Sequence, residues 1–497
     1  MTKKNIVSVI EAILLKIELE IDNASTQEKA IQFASYYGLF AACNFAPIYD
    51  GGHIEEKFLS HFRSDLPLPR ATPSKECIHV ISRSYQAGGH TRLMERLAGM
   101  HKNLPDLLIA CESNVDYNQK GAPPLFNSIF DISKVSSNGR FQALLSIFSD
   151  YRKIILHIHS DDFITAIAAR LVKKNGITKI YFVNHADHLF SFGRSAADCV
   201  LEVSAFGEAL GRARCPGLNS SFIGIPLPAD WDSIDFQSQS SVRKSILTSG
   251  SFWKFKPKLG FSLPAIMRNT LGSCSDIELT VLGVRPFRDY WWWTLKILYP
   301  ARVELRRSVS FLEYKTLLNA HSFVLDSFPI IGGTAFPEAI INGKIALGIN
   351  SPVSGYSPAD QLREVGGQAI KVALFDESAY KERLRKILKE MELVHGVEYV
   401  KERYLSSLAG HRNNNLLTAT FQGDPFFFEK CASEFGRVSL PSSLRRKSIA
   451  EMSLELSIFL TFARYFSFGS LLKAIFNILQ LCFAIFKKPM TREELRV

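Results

Sequence analysis

The sequence has few of the features that mark disulfide-rich or metal-binding proteins. Its eight cysteines lie far apart, with no Cys-x-x-Cys pair and no cluster of cysteine with histidine along the chain. This pattern excludes a disulfide framework and predicts a reducing compartment, without a cysteine-bound metal. The cysteines are Cys43, Cys77, Cys111, Cys199, Cys215, Cys274, Cys431 and Cys482.

Signatures of secretion and of nucleic-acid binding are also missing. Glu11 and Lys16 interrupt the stretch that would have to form the apolar core of a secretory signal, so a cytoplasmic location is expected. The formal net charge is +11, yet no zinc-ligand spacing, RNP-type sequence or basic zipper is present. We therefore expect no nucleic-acid partner, and the charge points to anionic lipid or to a negatively charged substrate.

The chain does have the length and composition of a folded protein with more than one core. It has 497 residues, of which 46% are hydrophobic and 22% charged. A chain of this size exceeds what one hydrophobic core usually organises. Two domains with additional segments are therefore predicted.

Two α/β domains are predicted to follow an N-terminal helical segment at residues 1–70. Short β-branched runs alternate with helical stretches, which is typical of parallel strands joined by crossover helices. The two domains are predicted at residues 75–235 and 242–405, with their strand ends facing each other across a cleft. The predicted strands are 77–81, 154–158, 180–183, 200–203 and 221–225, then 246–249, 277–282, 323–325, 345–349 and 370–374.

Residues 406–497 are predicted to form C-terminal helices that end in an amphipathic tail. From residue 441 onward, nine Lys or Arg stand against four Glu, and the longest charge-free run after Lys473 is 474–486. A spanning helix needs roughly 18 to 20 apolar residues, so we predict an interfacial helix on an anionic membrane surface through residues 441–497. The alternative is a tail that docks onto the catalytic domains.

The first candidate site is a glycine pair after the first strand of the first domain. Gly88 and Gly89 precede His90 and a helical period. Paired glycines let the backbone approach a ligand, and a helix N-terminus offers N–H groups to an anion. His90 is a candidate general base, while an ordinary tight turn remains the alternative.

The second candidate site follows the predicted strand 323–325. Gly332, Gly333 and Thr334 precede a helix that carries Glu338. This order suits a diphosphate next to a ribose, with N–H groups for the phosphates and a carboxylate for the sugar hydroxyls. A simple helix cap at Thr334 would leave Glu338 unexplained.

A third cluster of polar residues follows the predicted strand 180–183. His185 and Asp187 are expected to face the cleft, where they could orient sugar hydroxyls or act as a base. Together with His188 they have no recognised metal-ligand spacing, so no metal site is predicted. His159, at the end of another strand, is expected to reach the same cleft.

The segment DSFPIIGGTAFPEAIINGKIAL resembles the donor-site motif of GT-B glycosyltransferases, particularly glycosyltransferase family 4 and the O-GlcNAc-transferase-like enzymes. Three other segments resemble further parts of these enzymes in the same order: SRSYQAGGHTRLMERLA the N-terminal glycine loop, FIGIPLPADWDSIDF the interdomain linker, and SGSFWKFKP a phosphate-binding segment. The resemblance covers residues 76–390. It implies an α/β fold with two facing Rossmann-like domains, to which this chain adds the helical segment and the tail.

The resemblance also implies donor-binding roles. Gly332, Gly333 and Thr334 would hold the donor diphosphate, and Glu338 would hold the ribose. The other implied donor-binding residues are Gly88, Gly89, Ser251, Lys254 and Lys256. Retaining enzymes of family 4 carry a glutamate eight residues before the ribose carboxylate, but Ile330 occupies that position here. Retaining stereochemistry is therefore not implied.

The expected function is transfer of a sugar from a nucleoside diphosphate sugar to an acceptor hydroxyl. A glycan or lipid-linked acceptor in bacterial surface polysaccharide synthesis is expected, with the enzyme peripheral on the inner face of the membrane. His90 or His185 would act as base, Asp187 would assist, and neither metal nor cofactor would be needed. The alternatives are a nucleotide-sugar epimerase or hydrolase of the same fold, and a non-catalytic membrane-associated scaffold.

Overall fold

The computed structural model describes residues 6–62, 72–85, 89–115, 117, 124–236, 244–435, 437–441, 448–466, 470 and 475. Two wholly parallel sheets dominate the described chain, one formed before residue 225 and the other after residue 243. Helices cover the sheets, and the carboxyl ends of both sets of strands border one cleft. The predicted α/β class is therefore confirmed.

The first sheet has seven strands in the order β3-β2-β1-β4-β5-β6-β7, so that β1 lies near its centre. Ile154, Ile155 and Leu156 are fully buried because helices cover both faces, which explains their continuous apolar run. The strands are β1 (Lys75–Ser84), β2 (Asp106–Ser113), β3 (Ile129–Asp131), β4 (Tyr151–His157), β5 (Lys179–Val183), β6 (Cys199–Glu202) and β7 (Ser220–Phe222).

The first α/β unit also contains helices that follow these strands. In three of them a side chain accepts the hydrogen bond of an otherwise unpaired N–H at the helix start: Ser136 for α5, Asp162 for α6 and Ser204 for α7. The helices are α4 (Gly89–Ala98), α5 (Ser137–Phe148), α6 (Phe163–Lys173) and α7 (Ala205–Arg214).

The second sheet has five strands in the order β10-β9-β8-β11-β12. They are β8 (Lys244–Ser249), β9 (Ile277–Leu282), β10 (Val303–Arg306), β11 (Phe323–Leu325) and β12 (Ile345–Leu347). The helices around them are α8 (Phe252–Phe255), α9 (Leu263–Ser273), α10 (Trp293–Leu298), α11 (Phe311–Ala320), α12 (Ala335–Ile341) and α13 (Gln368–Phe375).

Helices from both ends of the chain pack together on the first sheet. The N-terminal helices are α1 (Ile6–Asp22), α2 (Gln27–Cys43) and α3 (Gly52–His61), as the helical spacing predicted. The C-terminal helices are α16 (Phe427–Phe435) and α17 (Ile449–Phe462). Leu454 and Ile458 of α17 share a hydrophobic core with Ile13, Ile17 and Phe40. This part of the predicted tail is therefore a packed element of the protein.

The helices α14 (Glu377–His395) and α15 (Val397–Leu408) lead the chain back from the second sheet to the first. Val400, Tyr404 and Leu408 share a core with residues of β1, β4, β5 and β6. The hydroxyl of Tyr181 donates to the carbonyl of Leu408 over 2.8 Å. The first α/β unit is therefore completed by a helix that follows the second one.

Most predicted strands are confirmed, and one is wrong. Residues 370–374 lie in helix α13, where Ile370 and Ala373 are buried with helical spacing. A five-residue apolar run fits either structure, and here the helical alternative holds. The sequence reasoning also missed β2, β3 and β10, of which β3 and β10 have only three and four residues.

The membrane-directed part of the tail lies largely outside the described residues. Apart from residues 470 and 475, the stretch 467–497 lies outside the described residues, and so do residues 442–447. Within the described chain, no helix combines the length and the apolar character needed to cross a bilayer.

Candidate active site

A cavity of about 220 Å³ lies between the carboxyl ends of the two sheets. It brings together seven of the residues predicted from the sequence: Gly89, His90, His185, Asp187, Lys254, Gly333 and Thr334. Ser251 and Lys256 are exposed at either end of α8 and do not line it. Gly88 lies outside the described residues.

His90 and His185 stack on each other at the first-sheet side of the cavity. Their ring centroids are 3.9 Å apart and their planes differ by 17°. His90 Nε2 lies 3.2 Å from the carbonyl of His157, and His185 Nδ1 lies 3.2 Å from the carbonyl of Val183. A carbonyl only accepts, so both nitrogens carry the proton. His90 Nδ1 and His185 Nε2 are then left with free lone pairs, and both are buried with no partner among the described residues.

The histidines are held in the neutral form. Burial lowers the pKa of His90 well below its ordinary value, and the neighbouring His185, His159 and His157 lower it further. Burial is also the main cause that lowers the pKa of His185, followed by His159 and His157. Each therefore carries an unprotonated ring nitrogen at neutral pH, which is the form that a general base requires.

His159 completes a group of three histidines whose ligand atoms lie within 4.8 Å of one another. The sequence predicts that His159 reaches the cleft, but it does not predict the contact with His90. The ring centroids of the two histidines are 4.8 Å apart. Ligand lone pairs lie in the imidazole plane, so the nearly parallel rings of His90 and His185 do not aim at a common point. The described arrangement therefore suits proton transfer better than metal binding.

Asp187 lines the cavity and also forms several hydrogen bonds within the protein. Its carboxylate accepts hydrogen bonds from the hydroxyls of Tyr356, over 2.8 Å, and of Ser204. Its backbone carbonyl accepts from the hydroxyl of Tyr49. Because Tyr356 belongs to the second α/β unit, Asp187 ties the histidine loop to the opposite side of the cleft.

On the second-sheet side, the two glycines are required by close packing. A Cβ on Gly332 would lie 2.9 Å from Asp326 Oδ1, and a Cβ on Gly333 would lie 2.7 Å from the Tyr356 ring. The N–H of Gly332 donates to Asp326 over 3.0 Å, so it is not available to a ligand. The N–H groups of Gly333 and Thr334 form no hydrogen bond within the described part of the chain.

Lys254 contributes a positive charge beside these N–H groups. Its ammonium donates to the carbonyl of Ile331 over 3.0 Å and lines the cavity. Burial lowers the pKa of Lys254, while the nearby Asp326 raises it. Asp326 itself is paired with Arg363 at 2.8 Å. Within the described residues, the second side of the cavity therefore presents the Lys254 ammonium and two backbone N–H groups that form no hydrogen bond.

Glu338 lies in a second, larger cavity of about 490 Å³. Its carboxylate is 3.2 Å from Arg96 and 3.4 Å from Arg92, both on helix α4 of the first α/β unit. The two arginines line both cavities and so join them into one groove. Glu338 and Thr334, four residues apart at the start of α12, thus face adjoining parts of this groove.

Several residues of the groove were missed in the sequence. Arg92 and Arg96 are four residues apart on α4, so they lie on the same face of the helix. This spacing after a glycine pair could have indicated that both arginines belong to the site. Tyr356 and Phe428 line the cavity from a loop and from α16, and no local pattern marks either of them.

No protein-family model matches the chain, and no curated protein matches it in sequence. Solved structures resemble it in three dimensions. HepE of Anabaena, in complex with UDP and glucose, is 12% identical over 67% of this chain and 100% of its own, with a TM-score of 0.48. A mutant O-GlcNAc transferase of Thermobaculum terrenum is 10% identical over 86% of this chain and 81% of its own, with a TM-score of 0.42.

A UDP-N-acetylglucosamine 2-epimerase is similar to a comparable extent. It is 11% identical over 69% of this chain and 100% of its own, with a TM-score of 0.40. All three likenesses have TM-scores below 0.5 and identities of 12% or less, so they identify neither a substrate nor a reaction.

Proposed function

We propose that this protein is a glycosyltransferase that moves a sugar from a nucleoside diphosphate sugar to an acceptor hydroxyl. The observation that carries the proposal is the division of the groove. Neutral histidines with free lone pairs stand on one side, and an ammonium with unpaired N–H groups stands on the other. Such a pair of surfaces suits removal of a proton on one side and departure of an anion on the other.

The donor would lie along the groove. Its nucleoside would occupy the larger cavity, where the ribose hydroxyls replace Arg92 and Arg96 as partners of Glu338. Its diphosphate would lie at Gly333, Thr334 and Lys254, and its sugar would face the histidine pair. Gly89 lies opposite Thr334. A Cβ added to Gly89 would lie 3.5 Å from the Thr334 hydroxyl, so a small residue at this position keeps the passage open.

In the proposed reaction the acceptor oxygen attacks the anomeric carbon of the donor sugar. The acceptor proton goes to His90 Nδ1 or to His185 Nε2, as the new carbon–oxygen bond forms and the bond to the diphosphate breaks. The diphosphate leaves with the electron pair, and Lys254 with the N–H groups of Gly333 and Thr334 stabilises its charge. A diphosphate nearby also raises the pKa of the histidines, which makes them stronger bases once the donor is bound.

A thermal-stability screen with nucleoside diphosphates and their sugars tests the donor. A ligand that binds only the folded state raises the melting temperature by mass action. We expect at least one nucleoside diphosphate to raise the melting temperature of the unmodified protein. The same ligand should not raise the melting temperature of a chain that carries both Lys254→Met and Glu338→Ala. A folded protein that no nucleoside diphosphate stabilises would contradict the proposal.

Product analysis then separates transfer from the other reactions of this fold. With the donor so identified and a glycan or lipid-linked acceptor, transfer puts the sugar on the acceptor and releases nucleoside diphosphate. Free sugar or an epimerised nucleotide sugar, formed at the same rate without any acceptor, would instead show a hydrolase or an epimerase. A protein that binds donor but consumes none would be a non-catalytic scaffold.

We further propose that the tail holds the enzyme on an anionic membrane surface, where lipid-linked acceptors for surface polysaccharide reside. Since α17 is packed in the protein core, the lipid-binding part is the stretch after residue 466. Its cations Lys473, Lys487, Lys488, Arg492 and Arg496 would be attracted to anionic lipid by up to about 1 kcal/mol each. Truncation after residue 466 should release the protein from anionic vesicles and leave donor binding intact. Unchanged cosedimentation of the truncated chain would exclude the tail as the anchor.

A further inference from the structure

A compact group of cysteine, histidine and tyrosine lies in the first α/β unit, away from the groove. Cys77 and His79 are near the start of β1, on the same face of the strand. His101 follows α4, and Tyr404 comes from α15. One ligand atom from each of Cys77, His79 and His101 lies within 4.8 Å of the other two.

Three of the polar atoms form a nearly regular triangle. His79 Nε2 is 3.1 Å from His101 Nε2, and the Tyr404 hydroxyl is 2.9 Å from His101 Nε2 and 3.3 Å from His79 Nε2. Zinc with nitrogen at about 2.0 Å and sulfur at about 2.3 Å holds tetrahedral ligand atoms roughly 3.3 to 3.6 Å apart. The triangle is a few tenths of an ångström tighter than one face of such a site, so its atoms would move slightly apart around an ion, and Cys77 lies close enough to supply a further ligand.

The surroundings of His79 favour a ligand role. Its Nδ1 lies 3.1 Å from His157 Nε2. When His79 Nδ1 donates this hydrogen bond, Nε2 keeps a free lone pair that points to His101 and Tyr404. An outer hydrogen bond on the second ring nitrogen is the usual way in which a metal-binding histidine is oriented.

We propose that Cys77, His79 and His101 bind a transition-metal ion of the zinc class, with the Tyr404 hydroxyl in the fourth coordination position. The thiol proton is released to solvent as the sulfur–metal bond forms. The ion joins β1, the end of α4 and α15, and so fixes the returning helix to the first sheet. It is separate from the proposed donor groove. The far spacing of cysteines along the sequence had predicted no such site, because His79, His101 and Tyr404 meet Cys77 only in the fold.

The experiment uses the full-length, tag-free protein, stripped with a chelator and titrated with Zn²⁺ or Co²⁺. We expect one equivalent bound at this site and, with Co²⁺, the near-ultraviolet charge-transfer absorption of a thiolate–cobalt bond. This band identifies the site, because the second histidine group of the described chain, His90, His159 and His185, contains no sulfur.

Cys77→Ala should abolish the band, and Cys199→Ala should retain it. Cys199 is the matched control because it is a buried cysteine in the same hydrophobic core, outside the group. If Cys77→Ala fails to fold, His101→Ala, at a half-buried position, should lose the band as well. Absence of the band in the unmodified protein, or its persistence in the folded Cys77→Ala chain, would overturn the proposal and leave a hydrogen-bonded network of neutral side chains.

Discussion

The two sides of the groove differ in the kind of charge that they handle. The first α/β unit contributes histidines, and burial keeps His90 and His185 uncharged. The second contributes Lys254 and the N–H groups of Gly333 and Thr334, which offer positive charge and no base. Neither unit therefore holds all the groups that the proposed reaction needs. The hydrogen bond from Tyr356 to Asp187 crosses the groove and keeps the histidines facing the donor-binding groups.

The largest expected effect comes from removing a base on the first side. His90→Ala and His185→Ala should each be tested for turnover and for donor affinity. Replacing the residue that takes the proton should lower turnover by a factor of about 10² to 10⁴ and leave donor affinity largely unchanged. His411→Ala, at an exposed position, is the control. Full activity in both cleft variants would show that the base lies elsewhere.

The second side should respond differently. Lys254→Met should lower turnover by about 10² to 10³, the loss typical of a group that stabilises charge in the transition state. Unlike the histidine variants, it should also weaken nucleoside diphosphate binding, measured by calorimetry. Lys256→Met is the matched control, because that lysine is exposed and does not line the cavity. If the two lysine variants lose equal activity, the assignment to Lys254 does not stand.

Glu338 tests the contact between the two sides. Glu338→Ala should weaken binding of a nucleoside diphosphate by about 1 to 3 kcal/mol, as expected when a charged hydrogen-bond partner is lost. The matching deoxyribose ligand should bind both proteins equally well, because it lacks the hydroxyl that Glu338 would hold. Unchanged nucleoside diphosphate binding by the folded variant would remove Glu338 from the donor site.

The smallest effect is on stability in acid. Burial lowers the pKa of His157 to about 3, well below the ordinary value near 6.5 in the unfolded chain. Between these values the unfolded state binds the extra proton, so stability falls as the pH falls below about 6.5. Between pH 7 and pH 5.5, protonation of this histidine in the unfolded chain should lower the free energy of unfolding by about 1 kcal/mol. Urea unfolding of His157→Gln at both pH values should show a correspondingly smaller loss, and an identical loss would speak against this pKa.

Local patterns were enough to predict much of the fold and part of the site. Strands such as β4 and β9 were visible as buried β-branched runs, and Gly89 with His90 or Gly333 with Glu338 as neighbours in sequence. Contacts between distant segments were not visible. Arg96 meets Glu338 across 242 positions, and Tyr356 meets Asp187 across 169. Those pairings depend on how the two units pack, which no local periodicity encodes.

The return of α15 to the first sheet has a consequence for the order of events during synthesis. The core beneath β1 and β5 includes Val400, Tyr404 and Leu408, which a ribosome adds long after β7. At about 5 to 20 residues per second, roughly 10 to 40 s pass between completion of that sheet and arrival of α15. For that time the nascent chain exposes an unfinished apolar surface. We therefore expect the first unit to need chaperone protection until the second has been made.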